Sequence, residues 1–127
     1  MGFAHSIIDE LIVGSPLHIQ RTIRISTVYG LVEKCWITVK ENTTQTDPQA
    51  LIKKTITTTA TASGQITNAG NSGSAEFVFH LVRADTIKFK PRKSYLVDIW
   101  MKQANDEPAG VESGIIITQH AVTLDPS

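Results

Sequence analysis

The sequence predicts an all-β fold, a sandwich of about seven or eight short strands, and three observations carry that reading. Apolar residues recur with a period of two along almost the whole chain. Turn-forming Gly, Pro, Asn and Asp interrupt those runs at frequent intervals, and no long stretch has convincing helical spacing. At 127 residues the chain fits one domain. A domain of that size buries roughly two thirds of its unfolded surface and forms a core without disulfides or metals.

The first thirteen residues read as an arm. Phe3, Ile7, Ile8, Leu11 and Ile12 fall near helical spacing, enough for a turn or two, and form too apolar a set for a free terminus. They are expected to pack on a neighbouring subunit or back on the sandwich, which takes up residues 14–127. Leu17, Ile19, Ile23 and Ile25 then alternate with Gln20, Thr22, Arg24 and Ser26, as in a half-buried strand. Arg21 breaks the apolar parity, which calls for a strand-end position or a snorkelling stem.

Cys35, Ile37 and Val39 alternate with Trp36, Thr38 and Lys40 in a second strand. ALIKKTITTTATA is dense in β-branched residues, whose restricted χ1 favours a pleated surface, and reads as a strand near an edge. GQITNAGNSGS supplies a short strand and a loop whose Gly64, Gly70 and Gly73 can take positive φ. Ala75, Phe77, Phe79 and Leu81 alternate with Glu76, Val78 and His80, and a single helical turn is expected around residues 82–87. Strands over Tyr95–Met101 and Ile115–Val122, separated by the turn-forming QANDEPAGVESG, complete the set.

Composition narrows function by exclusion. Twelve basic residues balance twelve acidic ones, so the positive field that gathers nucleic acid or an anionic membrane is missing, and neither partner is expected. No apolar run approaches the ~20 residues of a membrane span, and a soluble chain is expected. Cys35 is the only cysteine, which excludes an internal disulfide and a thiolate-rich zinc site. Its parity with Ile37 and Val39 predicts a buried, inert thiol.

The opening MGFAHSIIDELIVG has no basic n-region before a long apolar segment, so export by a signal peptide is not expected. Gly2 and Ser6 match the loose myristoylation pattern, and Asn42 heads a glycosylation sequon, but both patterns are degenerate.

Residues that carry chemistry do not converge in the sequence. His5, His18, His80 and His120 show no ligand spacing within one element, and Asp9-Glu10 and Asp106-Glu107 are adjacent pairs, not carboxylates facing across a cleft. No hydrolase elbow, zincin helix or phosphate loop is present. Neither an enzyme nor a cofactor is expected. One dense charge cluster stands out: Lys88, Lys90, Arg92 and Lys93 in KFKPRK, either a solvated connection that blocks strand pairing or a contact for an acidic partner surface.

That cluster lies inside DTIKFKPRKSYLVDIWM, which has the logic of a corner between two sheets. Asp85 and Thr86 bond nearby backbone and start a turn, Ile87 or Phe89 plugs the sandwich end, and Pro91 stops the helix. Tyr95 opens the next strand with its ring inward and its hydroxyl available to backbone, as in a tyrosine corner, and Asp98 follows within YLVDI.

VGSPLHIQRTI, CWITVKEN, ALIKKT, GQITNAGNSGSAEFVFHLVRADTIKFKPRKSYLVDIWMK and GIIITQHAVTL together resemble the small immunoglobulin-like domain of tailed-bacteriophage structural proteins. The likeness is to the N-terminal module of phage baseplate upper proteins and tail-fibre attachment domains. Ala84–Thr86 and Tyr95–Ile99 carry it most clearly. The family more often has a short loop with Gly before the Tyr, where this chain has KFKPRK, and its members often continue into a fibre or receptor-binding region.

The resemblance implies a non-enzymatic virion protein, present in several copies or as a homo-oligomer, that binds other virion structural proteins. Capsid decoration or cement, neck, tail and baseplate positions all fit. The expected contact residues are the apolar set of the arm, the basic cluster, and Trp36 and Trp100, whose parity sets them apart from the apolar face. A carbohydrate-binding sandwich is the alternative, and it requires those tryptophans to line up on an exposed face.

Overall fold

The computed structural model describes residues 7–41 and 49–119, apart from the side chains of Ile7 and Ile8. Among the described residues eight strands form two facing sheets: β1 (Ile7–Ile12), β2 (Leu17–Arg24), β3 (Val32–Lys40), β4 (Ile52–Ile56), β5 (Gly64–Asn68), β6 (Ser74–Leu81), β7 (Ser94–Gln103) and β8 (Ala109–Gln119). The larger sheet has the order β1-β8-β7-β3-β4 and the smaller β2-β6-β5. The fold is the all-β sandwich that the alternation predicted. β1 and β8 run parallel, whereas the other paired strands are antiparallel.

Period-two patterning places one parity of each strand in the core. Ile19 from β2, Ile66 from β5 and Ala75, Phe77, Phe79 and Leu81 from β6 meet Cys35, Ile37, Val39, Ile52, Ile56, Tyr95, Val97, Ile99 and Ile116 from the larger sheet. Phe77 and Phe79 are consecutive inward residues and pack edge to face, with ring centroids 5.6 Å apart. Gly64 is required by its backbone: at φ +133 a Cβ would lie 2.0 Å from the Val78 carbonyl oxygen.

Two expectations are corrected. Residues 7–12 have no helical spacing but form the edge strand β1, in register with β8 from Ile7 opposite Ile115 to Ile12 opposite Gln119, so of the two expected placements they take the one back on the sandwich. Leu11 is buried in the chain's own core, so it is no partner contact. An edge strand buried on one side shows one inward residue and little alternation, which explains the misread spacing. Phe3 lies outside the described residues.

The second correction concerns AGVESG, read as turn but forming the first half of β8 opposite Asp98–Met101. A bulge at Ile99/Trp100 absorbs the extra residue there, and glycine and charge at a bulge imitate a turn.

Candidate functional site

The corner between β6 and β7 is built as its residue types dictate. One helical turn, α1 (Arg83–Thr86), is capped by Asp85, whose carboxylate accepts the Val82 N–H at 2.9 Å and also meets the Lys54 ammonium at 2.8 Å. Thr86 is fully buried and its hydroxyl donates to the Arg83 carbonyl oxygen. Phe89, not Ile87, plugs the sandwich end; Ile87 is exposed.

The Tyr95 hydroxyl accepts the Lys90 N–H at 2.7 Å, and its ring, fully buried, packs on Phe89 with centroids 4.7 Å apart. This is the tyrosine corner, with its partner five residues upstream. Thr118 of β8 locks the same connection: its hydroxyl contacts the Lys90 carbonyl oxygen and accepts the Lys93 N–H at 2.9 Å.

The basic cluster divides across this corner. Lys88, Lys90 and Arg92 are exposed. Lys93 instead turns to its own chain, with its ammonium 3.4 Å from Glu41 and 5.3 Å above the Tyr95 ring. Arg92 holds a left-handed backbone at φ 59 while its N–H donates to the Thr118 carbonyl oxygen.

A second candidate surface is the outer face of the larger sheet. Trp36 on β3 and Trp100 on β7 are direct cross-strand partners, stacked at 14° with centroids 6.4 Å apart, and Trp100 is 39% exposed. The Lys34 ammonium lies 5.5 Å over the Trp36 ring, and Trp100 lies against Gly110, where a Cβ would come within 3.8 Å of its benzo ring. A shallow depression beside Trp100 is lined by Asp98, Gly110, Val111 and Ser113. Asp98 accepts the Ser113 hydroxyl at 2.7 Å and ties β7 to β8 on this face.

Toward the other end of the same face, the alternation places Leu96, Ile115 and Ile117, half-buried, with Glu10 opposite Ile117 and Ile12, which is 47% exposed, opposite Gln119. Both tryptophans lie on one outer face as parity implies, Trp100 exposed and Trp36 half-buried, and the face also carries further apolar residues that alternation alone does not reveal. The missing signal was register: the outward residues of β8 look like core residues until their partners are known.

Two polar pairs also depend on tertiary pairing. Arg21 faces the sandwich interior from mid-strand and donates from Nε and Nη2 to Glu112 of the opposite sheet, at 2.9 and 3.1 Å. The hydrogen bond to Glu112 raises the Arg21 pKa above its ordinary value against the opposing effect of partial burial. His18 and His80 meet across β2 and β6.

Cys35 is fully buried, and desolvation pushes its thiol up to about 12. Among the described residues no three His, Cys, Asp or Glu side chains converge to hold a metal, and no helix is long and apolar enough to cross a membrane. No known family model matches the chain, and no curated protein is significantly similar to it in sequence.

Proposed function

We propose that this chain is a non-enzymatic protein-binding sandwich that serves as a structural protein of a tailed-bacteriophage virion, present in several copies. The observation that carries the binding role is the Trp36–Trp100 stack on an outer sheet face that also carries, beyond the Asp98–Ser113 pair, Leu96, Ile115, Ile117 and Ile12. Aromatic anchors with adjoining apolar area are the usual source of binding energy at protein interfaces, and a core face without that role is seldom so apolar on its outside. The virion assignment rests on the resemblance of the corner and closing-strand residues. Lys88, Lys90 and Arg92 form the rim on this reading and meet acidic groups of the neighbouring subunit, each contact worth only ~0.2–1 kcal/mol and screened by salt.

The test is quantitative protein measurement on purified virions, with the wild-type chain and a Trp36→Ser/Trp100→Ser variant. The wild type is expected in many copies per particle, and the variant is expected to fold normally and to be absent from particles. Absence of the wild-type chain from virions overturns the virion reading; normal incorporation of the variant overturns the choice of face.

The carbohydrate reading has one specific support, the depression beside Trp100 with Asp98 and Ser113 at its edge. It is second because those two polar groups already bond each other and the Trp36 ring is flanked by Trp100 and Lys34. A saturable change in tryptophan fluorescence on titration with oligosaccharides, lost in Trp100→Ala, would reverse that order.

A further inference from the structure

We propose that His18 and His80 form a surface site for a divalent transition-metal ion that prefers cis coordination, copper(II) or nickel(II). The two residues stand directly opposite each other in the antiparallel β2–β6 pair, both on the outer face of the smaller sheet. Their Nδ1 atoms are 2.7 Å apart, and the rings meet edge to face with centroids at 4.7 Å.

An imidazole nitrogen bonds such an ion at ~2.0–2.1 Å. With the observed separation of 2.7 Å, one ion bound to both Nδ1 atoms would subtend about 80°. Adjacent ligands of a square or octahedral centre require 90°, reached at a separation of about 2.9 Å, whereas tetrahedral zinc requires about 3.3 Å. The observed separation is therefore closer to the copper and nickel geometry than to the zinc geometry.

The chemistry of the pair agrees with this. The 2.7 Å separation is that of a hydrogen bond in which one Nδ1 donates and the other accepts, so the two ring nitrogens already face one point. Rotation about χ2, which is broad for histidine, points both lone pairs at a single ion. The ring that donated then carries its N–H on Nε2, which frees its Nδ1 for the ion.

Backbone pairing holds the site in place. Leu17 opposite Leu81 and Ile19 opposite Phe79 flank the histidines, and Leu81, Ile19 and Phe79 are buried, so the register is set by the core beneath. The neighbouring outward pair is Gln20 and Val78, which leaves the remaining coordination positions to water or to a donor from another molecule.

The test uses the untagged protein titrated with copper(II) chloride and nickel(II) chloride, followed by calorimetry and, for copper, by electron paramagnetic resonance. One ion per chain is expected, with hyperfine structure from two nitrogen ligands. His18→Gln and His80→Gln should each weaken binding at least tenfold, while a His5→Gln/His120→Gln variant should bind like wild type. Because the pair exists only when β2 and β6 are in register, copper(II) should also raise the urea midpoint of the wild type and of the His5/His120 variant but not of the other two. Wild-type affinity in either single variant, or binding lost in the His5/His120 variant instead, overturns the proposal.

Discussion

Tyr95 makes two separable contributions, a hydroxyl that accepts the Lys90 N–H and a ring buried against Phe89. Tyr95→Phe should cost about 1 kcal/mol in urea unfolding, whereas Tyr95→Ala should cost about 3–5 kcal/mol because it also opens a cavity. Arg92 is the opposite case, a residue that its backbone does not suit. Its φ of 59 lies where a side chain is strained. Arg92→Gly should therefore stabilise the fold by about 0.5–1 kcal/mol in urea unfolding, the relief of strain exceeding the entropy that glycine adds to the unfolded chain. Cys35 gives a pH signature. Its thiol is held near 12 in the folded state against an ordinary 9.0, so above pH 9 the unfolded chain loses a proton that the folded chain keeps. Stability then falls as pH rises toward 12, by roughly 1 kcal/mol per pH unit, and the urea midpoint of Cys35→Val should decline less steeply over that window. Burial of Cys35 and the Tyr95 corner were legible in the sequence because parity and local order suffice to place them. The Arg92 strain was not, since no local pattern distinguishes a left-handed arginine.

Strands with one wet and one dry face announced themselves, as β3 and β6 do through Cys35–Val39 and Ala75–Leu81. β8 was half legible. Its Ile115–Ile117 segment looked like a strand, but Ala109–Gly114 contains two glycines and a glutamate whose purpose appears only across the molecule. Gly110 makes room for Trp100, and Glu112 points inward to meet Arg21. The same tertiary pair accounts for the break in the parity of β2, so Arg21 is neither at a strand end nor snorkelling. A double-mutant cycle with Arg21→Met and Glu112→Gln measures this link between the sheets. We expect a coupling of about 1–2 kcal/mol, because the pair is bidentate and only partly solvated; a coupling near zero would make it an ordinary surface ion pair. Gln103 shows the same dependence on distant partners: its amide donates to the carbonyl oxygens of Ser26 and Gly30, binding the end of β7 to the connection before β3.

At the scale of the whole molecule, the sandwich and its sidedness follow from alternation, but the identity of the neighbours does not. The sequence separates Trp36 and Trp100 from the core by parity, yet their contact, the apolar residues beyond them and the meeting of His18 with His80 all require the sheet order. The parallel pairing of β1 with β8 has a mechanical meaning. Tension carried by the chain beyond residues 7 and 119 pulls on opposite ends of that pair, since Ile7 lies beside Ile115 and Ile12 beside Gln119. The strands would have to slide past each other, with all their hydrogen bonds loaded at once. In single-molecule pulling, handles just outside residues 7 and 119 should give a rupture force several-fold higher than handles at 12 and 119, which would peel the same bonds one after another. Equal forces in the two directions would show that another part of the sandwich yields first. A chain paired this way resists being drawn out along its length while remaining easy to peel from one end, a toughness that depends on direction.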